Sequence, residues 1–189
     1  MSVFEHLLTL GSFVLALGIG TILTFAASLF QRRREVRFSV AHLLWMLVIF
    51  AGQIAFWLGA YMFSGVAHSS FPAIAFVIAQ PILFFLQSAF VAPGGADTLD
   101  LQAFHQSNGR SYMAMFLLTL ATQLAFMMHV AAVNPALHLN DFFVSQGAAL
   151  AVTLLALLLR WRWVQVVAPA VLLVHQAIGL YFAALPLVG

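Results

Sequence analysis

Gln31-Arg32-Arg33-Arg34-Glu35-Val36-Arg37-Phe38 separates two long apolar runs and holds four of the seven Arg residues of the chain. Basic residues beside a membrane span collect on the cytoplasmic side. The run before this stretch, about 7–30, is therefore expected to come in from outside, and the run after it, about 41–63, to return there. Continuing the alternation gives further spans at about 72–91, 111–133, 142–159 and 164–185. On this reading Arg32, Arg33, Arg34, Arg37, Arg110, Arg160 and Arg162 all fall on the inner side and none falls outside.

Composition agrees with that reading. Hydrophobic residues make up 64% of the 189, charged residues 6%, and the mean hydropathy is +1.06, values a water-soluble domain does not reach. The expected fold is all-α: one transmembrane helical-bundle domain over residues 1–189, six helices in three hairpins, both termini periplasmic. The apolar run before Ala26-Ala27-Ser28 reads as a span and not as a cleaved leader, because the charges follow it. All seven basic residues are Arg, so Schiff-base chemistry with retinal or pyridoxal phosphate has no lysine. With no Cys, disulfides and thiolate chemistry are excluded as well. The isoelectric point near 9.7 reflects few charges placed at a membrane face, so no nucleic-acid partner is expected.

Local signals refine the spans. Gly11, Gly18 and Gly20 offer a small-residue side on the first, and Ala51, Ala55 and Gly59 a packing seam on the second. Trp45, Trp57 and Tyr61 suit the two interfaces, and Trp161 and Trp163 the basic turn between the last two spans. Pro72 opens the third span, and Pro81 inside it frees a carbonyl near Val77. Between spans three and four, Leu99, Leu101 and Phe104 suggest a short interfacial helix, and Asn108-Gly109 a turn. Asn140 or Asp141 is the expected cap of the fifth span.

His42-Leu43-Leu44-Trp45, Phe56-Trp57, Gln80-Pro81 with Phe84-Phe85, and Asp100-Leu101 followed by Arg110 resemble motifs of a group of uncharacterised bacterial multi-pass inner-membrane proteins. The resemblance runs from the second span to the start of the fourth. It implies a bacterial inner-membrane location and no particular activity.

The residues able to carry function are polar ones within the spans. At 1.5 Å per residue, Gln53, Gln80, Gln123, His175 and Gln176 all fall roughly 16–18 Å from the inner boundary. Buried amides facing lipid are costly, so this midplane polar layer is expected to face inward, with Thr119, Thr122 and Pro81 supporting it. Such residues either hydrogen-bond across helices and hold their register, or line a polar site or constriction. Arg32, Arg33, Arg34, Arg37, Arg160 and Arg162 form a basic boundary facing the lipid head groups.

Other chemistries have less support. His129 and His175 are the intramembrane candidates for haem or pigment ligation, but His129 lies roughly 9–10 Å nearer the outside by the same count. His6, His68, His129 and His138 lack metal-ligand spacing. No Gly-x-Ser-x-Gly, His-Glu-x-x-His or phosphate loop occurs, and no intramembrane carboxylate. Asp100 and His105 share a loop as solvated charges. No metal and no cofactor is therefore expected. The expected role is a non-catalytic scaffold or accessory subunit that packs on the bilayer and on a protein partner or a second copy. The alternatives are a channel or carrier for a small solute or ion, and haem or pigment binding.

Overall fold

The computed structural model describes the backbone of residues 3–60, 71–93, 100–134 and 139–188; the side chains described within these are those of 6–59 and of everything from 71 up to 181. Six helices result: α1 (Val3–Gln31), α2 (Val40–Ala60), α3 (Phe71–Val91), α4 (Leu101–Val133), α5 (Asn140–Leu158) and α6 (Arg162–Val188). Each contains a stretch long and apolar enough to cross a membrane, with window hydropathies from 1.6 to 2.2. Tyr61, His68 and the loop expected at 64–71 lie largely outside the described residues, as do Asp97, Leu99 and His138.

Three expectations about element ends fail. Asn108-Gly109 is no turn: it lies inside α4, which runs unbroken for 33 residues from Leu101, about 50 Å at 1.5 Å per residue. The side chain of Asp100 accepts the Ala103 N–H at 2.9 Å and caps the helix ten residues earlier than the expected span, absorbing the interfacial segment into its first turns. Gly109 sits there beside the His105 ring and the Tyr112 hydroxyl, 3.5 and 3.4 Å from where a Cβ would lie, which is ordinary contact distance. Finally, α5 starts at Asn140 with Leu139 in the cap position and no side-chain cap bond, so neither Asn140 nor Asp141 plays that part.

Packing departs from chain order. Of the sequential pairs, α3 lies against α4, α4 against α5 and α5 against α6, but α1 packs chiefly on α3, and α2 chiefly on α6. Glycine explains the first departure. A Cβ on Gly11 would lie 3.1 Å from the Pro81 ring, and one on Gly18 would lie 2.7 Å from Gln53 Oε1 and 3.1 Å from Ser88 Oγ. These two positions let the α1 backbone press onto α3 and the edge of α2. Gly20 and Gly59 have no such neighbour, so each expected small-residue seam is only partly used. On α2 it is Gly52 that touches other helices, lying against Gln176, Phe84 and Phe116.

The core is centred on α2 and α4. Trp45, Val48, Ile49, Tyr112, Phe116 and Leu172 are almost wholly enclosed. Trp45 is thus a core residue and not an interfacial anchor, with its ring 5.9 Å from Phe116 and 6.2 Å from Tyr112. By contrast Trp57, Trp161 and Trp163 are exposed.

Three connections meet at one end of the bundle. The Leu101 N–H donates to the Arg37 carbonyl at 3.0 Å, Arg37 Nη1 pairs with Asp100 Oδ2 at 3.2 Å, and Arg160 Nη2 donates to the Gln106 carbonyl at 3.2 Å. α1, α3 and α5 therefore end where α2, α4 and α6 begin, at an Arg-bearing face.

Candidate functional site

The five residues expected in one polar layer divide into two groups. Gln53 and Gln80 are fully buried and are tied to other helices. Gln53 Nε2 donates to Ser88 Oγ at 3.0 Å. Gln80 Nε2 donates to the Thr119 carbonyl at 3.2 Å, while Gln80 Oε1 accepts the Thr122 hydroxyl at 2.9 Å. One turn and three residues on, Gln87 donates to Thr119 Oγ1 and to the Met115 carbonyl, the latter at 3.3 Å. The partners are hydroxyls and backbone carbonyls, never a second amide. This set joins α2 to α3 and α3 to α4, with each bond contributing on the order of 1 kcal/mol inside a membrane. Pro81 is buried beside it against Gly11.

Gln123, His175 and Gln176 are half-buried and line a different space, a cavity of about 420 Å³ among α2, α3, α4, α5 and α6. Ser145, Gln146 and Thr119 add polar atoms to its wall, and Phe56, Phe76, Phe84, Phe116, Phe126 and Phe142 make it mostly aromatic. Ser145 Oγ and His175 Nε2 are 2.6 Å apart. His175 Nδ1 and Gln146 Oε1 are buried without a hydrogen-bond partner in the protein. Unpaired buried polar atoms are costly, and both of these belong to residues that line the cavity. Gly59 and Gly179 also line it, and a Cβ on either would meet open space. Toward the Arg-bearing end the bundle is filled by Trp45, Tyr112 and Leu172, so the cavity belongs to the opposite half.

Reading the sequence missed Ser88, Ser145, Gln146 and Gln165. Serines and amides near helix ends look like ordinary boundary residues, and only packing shows which way they point. Gln165 is the clearest case: its Nε2 donates to the Ala156 and Leu159 carbonyls at 2.6 and 2.9 Å, satisfying groups left over at the end of α5.

The remaining titratable groups among the described residues are engaged separately. Asp100 and His105 do not act together. Asp100 serves the α4 cap and Arg37, and the Ala103 N–H, with Arg37 beside it, holds its carboxyl below the usual range. His105 Nδ1 bonds to the Tyr112 hydroxyl inside the bundle. His42 is enclosed by the rings of Phe25, Phe104 and Tyr112 at 6.3, 5.3 and 5.9 Å. His129 is half-buried on α4 and is not among the residues lining the cavity, which therefore offers one imidazole. Among the described residues no three His, Asp or Glu gather as metal ligands.

The boundary arginines also separate. Arg32 pairs with Glu35 at 3.3 Å and Arg33 lies over the Phe30 ring at 5.1 Å, while Arg37, Arg160 and Arg162 line a cleft. These features define a helical-bundle membrane protein with a mostly aromatic cavity, edged by a few polar groups, in one half. No family model, curated protein or solved structure matches the chain.

Proposed function

We propose that the chain is a non-catalytic membrane protein that holds a small, mostly apolar molecule with one or two hydrogen-bonding groups, as a binding protein or carrier. The observation that supports this most is the 420 Å³ cavity, within the about 300–1,000 Å³ of small-molecule pockets, whose usual make-up is apolar walls with a few convergent polar groups. His175 Nδ1 and Gln146 Oε1 supply unmet polar atoms. The scaffold reading has its own support in Gln53, Gln80 and Gln87, whose amide nitrogens donate to neighbouring helices, although Gln53 Oε1 and Gln87 Oε1 are left without a partner. In this proposal they form the fixed wall, α2 with α3 and α4, against which the cavity opens. Haem or pigment ligation through His175 has less support, because its Nε2 already faces Ser145.

The one-sided Arg distribution supports placement in a bacterial inner membrane with the Arg-bearing end in the cytoplasm and the cavity in the periplasmic half. The exposed faces of α1 (Leu10, Phe13, Leu17) and α6 (Val167, Val171, Val174, Ile178) would then be covered by acyl chains, a partner subunit or a second copy. Filling the cavity tests the reading. Gly179→Leu projects into open space, so the protein should melt no lower than wild type, while the melting shift produced by an aromatic alcohol such as 2-naphthol should disappear. An unchanged shift would refute a ligand site there.

A further inference from the structure

The Arg-bearing end has a second concavity, separate from the ligand cavity. The connection before α2, the start of α4 and the turn into α6 enclose a cleft of about 680 Å³ lined by Arg37, Arg160 and Arg162. An adjoining hollow of about 380 Å³ shares Arg160 and Arg162 and adds Arg110. Asp100 is the only carboxylate lining either space among the described residues, and it is already engaged: one oxygen accepts the Ala103 N–H, the other faces Arg37. Three guanidinium groups against one carboxylate leave the larger cleft with a surplus of two positive charges. Arg160 bonds a backbone carbonyl, and Arg162 has no ion-pair partner among the described residues.

Backbone dipoles add to that surplus. α2, α4 and α6 all begin at this cleft, through Ser39 and Val40, Asp100 and Ala103, and Arg162 and Gln165, and a helix N-terminus carries partial positive charge. The Gln102 and Gln106 amides supply neutral donors on the same wall. At the turn into α6, Trp161 and Trp163 are exposed with rings 5.8 Å apart, as aromatic side chains are at a head-group boundary.

We propose that this cleft is a phosphate-binding site, in which the forked guanidinium groups of Arg160 and Arg162 hold a phosphate directed at the starts of α4 and α6. Phosphate fits better than carboxylate because it presents more oxygens to forked donors, and it brings one negative charge as a lipid diester, or up to two as free phosphate, against the surplus of two. The group is either the head group of an anionic phospholipid or a soluble phosphate.

The test uses the whole protein in nanodiscs of phosphatidylcholine, with or without phosphatidylglycerol, and reads lipid retained per protein by native mass spectrometry. Wild type should retain phosphatidylglycerol. Arg160→Gln with Arg162→Gln should lose about thirtyfold, and Arg33→Gln with Arg34→Gln, outside the cleft, about twofold or less. Gln102→Glu puts a carboxylate into the cleft in the first turn of α4, where acidic residues suit the helix and every Arg orientation signal is kept. It should abolish retention without lowering the melting temperature. A second arm adds inorganic phosphate to phosphatidylcholine discs: a melting shift removed by Gln102→Glu assigns the same site to a soluble phosphate. Absence of both effects, or equal losses in the Arg33/Arg34 and Arg160/Arg162 variants, would overturn the proposal and leave only diffuse surface charge.

Discussion

Replacing Gly18 by Ala should destabilise the bundle, while the same change two residues on, at Gly20, should not. At Gly18 the new methyl would lie 2.7 Å from Gln53 Oε1, 3.1 Å from Ser88 Oγ and 3.4 Å from the Phe85 Cα. Gln53 cannot simply turn aside, because its Nε2 is bonded to Ser88, and Phe85 contributes backbone. Overpacking of this kind costs about 1–3 kcal/mol, and losing the Gln53–Ser88 bond adds about 0.6–1 kcal/mol in a membrane. Against this, Gly→Ala within a helix gains up to about 1 kcal/mol. The net loss at Gly18 is about 1–3 kcal/mol by these terms. At Gly20 nothing lies within 4 Å, so only the helix term remains and stability should hold or rise by up to about 1 kcal/mol. Reversible unfolding of both variants in mixed detergent micelles measures the difference directly, with one helix serving as its own control. Equal changes at the two positions would show that α1 does not cross α3 at Gly18.

The two polar groups should also separate by substitution: Gln80→Leu removes the bonds from α3 to the Thr119 carbonyl and the Thr122 hydroxyl and should lower stability by about 1 kcal/mol, whereas Gln123→Leu, on the cavity wall, should leave the melting temperature unchanged and weaken ligand binding. A clear loss of stability in the second would place Gln123 in the fastening set. The Asp100 tie is pH-dependent with a definite sign. Its carboxyl is held below the ordinary value, so protection of the Ala103 amide against hydrogen exchange should be full above about pH 4 and fall as the pH drops through the lower folded value; Asp100→Ala should show the low-pH exchange at neutral pH. In the Cys-free background, Asn140→Cys should react with an impermeant thiol reagent added to intact cells and Ser107→Cys only after permeabilisation, and the reverse pattern would invert the proposed orientation.

That the chain forms six helices long and apolar enough to cross a membrane, and that its basic residues gather at one end, was legible in the chain, because these depend on quantities additive along it: apolar length, and where charge interrupts it. Counting depth along each helix also brought Gln53, Gln80, Gln123, His175 and Gln176 to attention. Rise per residue gives height in a bundle but not direction around it. Whether Gln80 meets a threonine or a cavity depends on helix rotation and on which helices are neighbours, and both are decided by packing: Gly11 and Gly18 admit α3 against α1, and Gly52 lies against Gln176 of α6. The same holds for Asn108-Gly109, a turn by local preference that lies within helix because Asp100 caps α4 early and the helix runs on through it. The Arg-lined cleft could not be read from its parts, since Arg37, Asp100 and Arg162 are far apart in the chain and only tertiary contact between three connections makes them one surface.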